Sequence, residues 1–121
     1  MEYEHGAVKE EWRRAQKDYP IGKAEAQHDL ADGRLAYETY GLPAPYFDEI
    51  VQLFRERYEV ELRLTGGCVV IAQISEHARG YNEIMKPEIE RRFGTNVWAR
   101  TEADAEALYK TKNQPRENRR Q

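Results

Sequence analysis

The chain has little cysteine and no cluster of metal-ligand residues. Cys68 is its one cysteine, so no disulfide can form within the chain, and His5, His28 and His77 lie at no spacing that is typical of zinc sites. We therefore expect no resident metal and no cofactor. A single reduced thiol favours a reducing, cytoplasmic location.

Several motifs that carry chemistry are also missing. The sequence contains no GxGxxG, GxxxxGK, HExxH or GxSxG segment, so nothing predicts a phosphate cradle, a zinc protease site or a nucleophile elbow. The first twelve residues, MEYEHGAVKEEW, are acidic where a signal peptide would be basic, and no apolar run approaches the length of a membrane span. We therefore expect a soluble protein with no membrane partner.

Charge is abundant but mixed in sign. The 121 residues include 19 basic and 22 acidic side chains, a net charge of −3, so the total implies neither nucleic acid nor an anionic membrane as a partner. Residues 110–121, KTKNQPRENRRQ, are basic and have no apolar side chain to bury. We expect a single globular domain over residues 1–109, followed by a disordered tail that binds nucleic acid weakly at most.

Apolar residues that alternate with polar ones predict two strands. Residues 59–65, EVELRLT, show the period of two that is typical of a strand with one buried face, and residues 34–40, RLAYETY, alternate in a way that predicts an earlier strand. Gly66-Gly67 suits a tight turn, after which Cys68–Gln73 predicts a third, returning strand. The same glycines also suit a loop that leads directly into the next helix, with Cys68 near its N-terminus.

Stripes of apolar residues at steps of three and four predict the helices. The strongest stripe follows the loop of residues 41–45, GLPAP, and a second crosses Pro87. Three weaker patterns predict a first helix that ends at Pro20 and Gly22, a second over Lys23–Ala31 that Gly33 stops, and a last one that Thr101 caps. The two strong stripes consist of Phe47, Ile50, Val51, Phe54 and Tyr58, and of Ile74, Ala78, Tyr81, Met85, Ile89 and Phe93.

These elements predict an α+β fold in the order α-α-β-α-β-β-α-α. A strand, a helix and a strand in succession require a right-handed crossover, which makes the first two strands parallel. The hairpin then adds the third strand antiparallel. The expected architecture is a small mixed three-stranded sheet packed with amphipathic helices.

In this arrangement, several loops and helix ends meet at one edge of the sheet. The free backbone N–H groups at the start of the helix after Pro45, together with two arginines at the end of a later helix, favour an anion or a small carboxylate as ligand. Asp48 and Glu49 in the same first turn oppose it. The candidate ligand-binding residues are Tyr40, Pro43, Tyr46, Thr65, Cys68, Arg91 and Arg92.

No catalytic constellation is visible in the sequence. Cys68 is the one candidate thiol nucleophile and His77 is its nearest histidine, but a lone cysteine in an apolar run is typical of a small buried side chain. We therefore predict a small non-catalytic binding or interaction module, with a protein partner or as a homodimer. The alternative is a small enzyme whose site at the sheet edge uses Cys68 or acts on an anionic substrate.

Overall fold

A computed structural model of the chain describes residues 10–66 and 71–113. Within these ranges no helix is long and apolar enough to cross a membrane. The elements in chain order are α1 (residues 10–15), α2 (Asp18–Ala31), β1 (Leu35–Thr39), α3 (Phe47–Tyr58), β2 (Val60–Leu64), α4 (Ala72–Phe93) and α5 (Val97–Lys112).

The sheet pairs β1 with β2 in parallel, as the strand-helix-strand pattern predicts. The register joins Leu35 to Val60 at one end and Thr39 to Leu64 at the other, and α3 makes the crossover between the strands. The expectation of mixed helix and strand is therefore confirmed. Helices make up most of the fold.

The predicted third strand is wrong over the residues that the structure describes. Ala72 and Gln73, assigned to that strand, are the first two residues of α4, while Cys68 lies among residues 67–70, outside the described ranges. In the described part of the chain the sheet has two strands, and the order is α-α-β-α-β-α-α. A short apolar run does not separate a strand from a buried helix turn, and Ala72 is buried as part of the helix. The alternative, in which the glycines lead into a helix, agrees better with this structure.

The prediction that a helix ends at Pro20 and Gly22 is wrong. Both residues lie inside α2, although proline and glycine locally favour a helix end. Pro20 is the third residue of α2, in the first turn, where a backbone N–H has no partner within the helix. The helix does end where Gly33 predicts. The Gly33 N–H donates to the Leu30 carbonyl at 3.0 Å and Gly33 takes a φ of +79°, which turns the chain toward β1.

The last helix is longer than predicted at both ends. It begins at Val97, so Thr101 lies buried in its interior and is not its cap. It continues to Lys112, whose Nζ lies 3.3 Å from Glu49 Oε2. The first three residues of the predicted tail are therefore helical, and residues 114–121 lie outside the described ranges.

The core forms from the stripes that the sequence predicts on α3 and α4. Phe54, Tyr81, Met85 and Ile89 are each at most 2% exposed. Beside them the rings of Tyr37, Phe54, Tyr58, Phe93 and Trp98 contact one another with centroids 4.7 to 5.6 Å apart. Helices α3, α4 and α5 are thereby held against one sheet.

Helices α2 and α4 cross with their backbones in contact. A Cβ atom on Gly22 would lie 2.2 Å from the His77 carbonyl oxygen, and one on Gly80 would lie 2.0 Å from the Tyr19 carbonyl oxygen. No real Cβ approaches another atom so closely. Glycine is therefore required at both positions by the packing.

Gly80→Ala should lower the free energy of unfolding by about 1 to 3 kcal/mol, measured by urea denaturation, because the added methyl group forces the helices apart. Inside a helix, glycine to alanine normally stabilises by roughly 0.5 to 1 kcal/mol, so the sign of the change is diagnostic. Gln27→Ala, at an exposed position of α2, is the control and should change stability by less than about 0.5 kcal/mol. A Gly80→Ala protein as stable as the parent would contradict the crossing.

Candidate functional site

An apolar groove opens at the carboxyl ends of β1 and β2. Its volume is about 250 Å³, and its walls come from both strands, α3 and α5. The rim is apolar as well as exposed, since Tyr40 is 46%, Leu42 83% and Leu64 42% exposed. The walls include Tyr37, Phe47, Ile50, Phe54, Leu62 and Trp98.

The loop at the mouth of the groove is restricted by its own sequence. Gly41 takes a φ of +88°, a value that side chains disfavour, and the φ angles of Pro43 and Pro45 are fixed by their rings. The Phe47 N–H donates to the Ala44 carbonyl at 3.0 Å and closes the loop onto α3. Leu42 is therefore held outward by a stiff loop.

One carboxylate lies at the rim of the groove. The Tyr46 hydroxyl donates to Glu102 Oε1 at 3.1 Å, and this hydrogen bond is the main reason that the pKa of Tyr46 is raised. Glu102 also lines the groove. Within the described residues it forms no ion pair. The charge at this edge of the groove is thus negative.

Three of the predicted ligand-binding residues lie at this groove. Tyr40 and Pro43 line it, and Tyr46 is at its rim through Glu102. Thr65 also lies at the strand ends, where its hydroxyl donates to the Thr39 carbonyl at 3.0 Å, but it lines a separate cavity. Cys68 lies outside the described residues.

The structure does not bring Arg91 and Arg92 to the groove. Both donate to Glu88, and these hydrogen bonds, that of Arg91 first, lower the pKa of Glu88 to about 2. The next residue, Phe93, packs on Tyr58 with ring centroids 4.7 Å apart, at the amino end of β2. Because α4 starts near the carboxyl end of β2 and ends near its amino end, it carries these arginines away from that edge.

A second constellation joins three elements that are distant in sequence. His77 of α4 lies with Nδ1 at 2.7 Å from Glu38 Oε1 of β1 and with Nε2 at 2.7 Å from Glu25 Oε2 of α2. The Glu38 side chain is 6% exposed, that of His77 23% and that of Glu25 55%. The sequence does not predict this group, because nothing in the spacing of residues 25, 38 and 77 indicates that they meet.

The crossing of α2 and α4 positions this constellation. Glu25 follows Gly22 by three residues and His77 precedes Gly80 by three, so each lies about one turn from the contact. Asn82 fixes the strand, since its Oδ1 accepts from the Glu38 N–H and its Nδ2 donates to the Glu38 carbonyl, both at 2.8 Å. The side chain of Asn82 thus pairs with β1 as a neighbouring strand would.

Two effects on the pKa of His77 oppose each other. Burial lowers it, but the hydrogen bonds to Glu38 and Glu25 outweigh burial, so the pKa is raised above the ordinary value of about 6.5. With both ring nitrogens facing carboxylates, the protonated ring is the form that satisfies both contacts. The ring of Tyr81 stacks beside it at 6.2 Å between centroids.

The hydroxyl of Tyr81 belongs to a second polar network, which shares no hydrogen bond with His77. Its hydroxyl donates to Asp29 Oδ2 at 2.6 Å and accepts from Arg63 Nη1 at 3.2 Å. Burial, followed by the bond to Asp29, raises the pKa of Tyr81, while the bond from Tyr81 lowers the pKa of Asp29. The network contains a buried tyrosine that stays protonated, and it ties α2 to α4 and β2.

Comparison of the chain with protein-family models, curated proteins and solved structures finds no match. The proposed function therefore depends on the geometry of the groove.

Glu38→Gln should bring the pKa of His77 down toward its ordinary value, because one of the two carboxylates that raise it is removed. NMR of the imidazole protons between about pH 5 and 9 measures this pKa. Because the pKa is raised on folding, the stability from these contacts is present below about pH 6.5 and is lost as the pH rises through the raised value. His77→Gln should remove this part of the pH dependence of the unfolding free energy. A His77 pKa that is unchanged by Glu38→Gln would contradict the assignment.

Proposed function

We propose that the protein is a small non-catalytic binding module whose groove at the carboxyl ends of β1 and β2 holds one bulky apolar side chain of a partner protein. The observation that carries this proposal is an apolar groove with an exposed apolar rim, of which Leu42 is 83% exposed. Exposed apolar patches of this kind are typical of interaction sites.

The size of the groove supports a side chain in preference to a whole small molecule. Its volume of about 250 Å³ falls below the range of roughly 300 to 1,000 Å³ that is usual for small-molecule pockets. Interfaces between proteins are commonly anchored by single apolar or aromatic side chains that enter pockets of the partner. The walls of Phe54, Leu62 and Trp98 match such an anchor.

The stiff loop at the mouth supports binding without large reorganisation. Gly41, Pro43 and Pro45 restrict the backbone on both sides of Leu42, so little conformational entropy remains to be lost when a partner docks. The contact surface exists before the partner arrives. We therefore expect the bound and free loops to have the same conformation.

The charge at the rim selects among partners. Glu102 is the charged residue that lines the groove, so a basic residue beside the apolar anchor would complement it. The anionic ligand that the sequence suggested draws no support from the groove, because Arg91 and Arg92 pair with Glu88 elsewhere. The alternative of a thiol enzyme stays a prediction, since it depends on Cys68.

Selection from a library of displayed random peptides tests this function. We expect the enriched peptides to share one bulky apolar residue next to a lysine or arginine, and to lose about tenfold or more in affinity for a Leu42→Ser protein, because the rim contact is removed. Addition of a selected peptide should shift the amide signals of Gly41 and Leu42 in NMR spectra. The amides around His77 should stay unchanged.

Ile21→Ser is the matched control, because Ile21 is also a large apolar residue, 45% exposed, but lies on α2. It should bind the selected peptides as the parent does. Peptides that bind the Leu42→Ser and parent proteins equally would refute the groove as the binding surface. If the parent self-associates and Leu42→Ser does not, the partner is a second copy of the chain.

A further inference from the structure

We infer that Glu25, Glu38 and His77 form a binding site for one divalent transition-metal ion such as Zn²⁺. In this site His77 Nε2 and the Glu25 carboxylate are the ligands, and Glu38 orients the imidazole ring. The site is separate from the groove and does not depend on the function proposed for it.

The charge of the constellation favours a cation. Two carboxylates surround one imidazole, so the group carries a charge of −1 with a protonated ring and −2 with a neutral one. Within the described residues, the ion pairs of Glu25 and Glu38 are those with His77, and neither pairs with a lysine or arginine. A buried carboxylate such as Glu38 needs a compensating positive charge nearby, which a metal ion on the ring supplies more fully than one proton.

The arrangement of the ring matches that of a metal-binding histidine. Such histidines donate the N–H of one ring nitrogen to a carboxylate or carbonyl, which fixes the tautomer and leaves the other nitrogen free to ligate. Here the Glu38 side chain is that carboxylate, since its Oε1 lies 2.7 Å from His77 Nδ1. The other ring nitrogen of His77, Nε2, faces Glu25. The three donor groups offer atoms that all lie within 4.8 Å of one another.

Only a small movement separates this geometry from that of a bound ion. Donors about 2.0 to 2.2 Å from a tetrahedral Zn²⁺ lie roughly 3.3 Å apart. Glu25 Oε2 now lies 2.7 Å from Nε2, and an outward shift of about 0.6 Å would therefore admit the ion. Glu25 is half exposed and free to make this shift, whereas Glu38 and His77 are held by their elements.

The open side of the site faces solvent. The Glu25 side chain is 55% exposed, so water can reach an ion that lies between this carboxylate and Nε2. Two protein ligands leave positions open in the coordination shell of zinc, and water molecules from solvent would complete it. The ion replaces the proton between Nε2 and Glu25, so that its binding releases a proton to solvent.

Calorimetric titration of Zn²⁺ into the full chain tests the site. The titration uses a Cys68→Ser background, because a thiolate would itself bind zinc. We expect one equivalent to bind at micromolar concentration and to raise the melting temperature, while Mg²⁺, which prefers oxygen ligands, has no effect. His77→Gln and Glu25→Gln should each weaken binding by about tenfold or more, and Glu38→Gln by roughly 10- to 100-fold.

His28→Gln is the matched control, because His28 also lies on α2 but is 73% exposed and pairs with Asp32. It should bind zinc as the background protein does. Unchanged binding in His77→Gln, or no binding in the Cys68→Ser background, would overturn the site. Should a variant fail to fold, zinc-induced NMR shifts in the background protein decide: movement of the imidazole signals of His77 supports the site, and movement of those of His28 alone refutes it.

Discussion

The close backbone contacts of Gly22 with His77 on α4, and of Gly80 with Tyr19 on α2, are the constraint on which the arrangement of the helices depends. Because neither glycine has a side chain, α2 lies directly on α4. Ala26, one turn beyond Gly22 on α2, is buried completely. The crossing fixes α2 relative to the sheet, since α4 itself packs on β1. It also sets Glu25 opposite His77, so that two charged residues distant in the sequence meet at a fixed separation.

The carboxyl ends of the strands are where both candidate sites arise. On one side of β1, α3 and α5 leave the apolar groove, and on the other side α4 presents His77 to Glu38. Strand ends are suited to this, because chain segments diverge there and leave space that side chains from several elements can reach. A parallel pair of strands brings two such ends together, which a hairpin does not. The crossover through α3 therefore determines where binding surfaces occur.

Much of this fold follows from periodicity in the sequence. The apolar stripes of α3 and α4 that pack in the core and the positions of both strands follow from local patterns, because each pattern is repeated several times within one element. The stop at Gly33 follows from the local preference of glycine. Residues 72 and 73 were assigned wrongly because an apolar run of six residues has no period that separates a strand from a helix turn. Pro20 and Gly22 do not end the helix for two other reasons. Pro20 is tolerated because it lies in the first turn of α2, and Gly22 is required by its close contact with α4.

The candidate sites were less predictable than the fold. Tyr40 and Pro43 line the groove as predicted from the sequence, because a loop with two prolines after a strand is a local signal. The place of this loop at the end of a parallel pair follows from topology. Arg91 and Arg92 lie away from the groove, because the direction of α4 is set by its packing on β1 and α2 and not by its own sequence pattern. The constellation of Glu25, Glu38 and His77 depends on the helix crossing, which is a tertiary contact. The one local sign of this constellation in the sequence is Glu38, a charged residue on the same strand face as Ala36 and Tyr40.

The most direct measurement of the central claim uses a free apolar side chain in place of a partner. N-acetyl-tryptophan amide, added at millimolar concentration, should give intermolecular nuclear Overhauser effects to the methyl groups of Leu42, Ile50 and Leu64, which surround the groove. Those contacts would establish that the groove accepts a bulky apolar side chain. Contacts to other methyl groups alone, or none at all, would contradict the account.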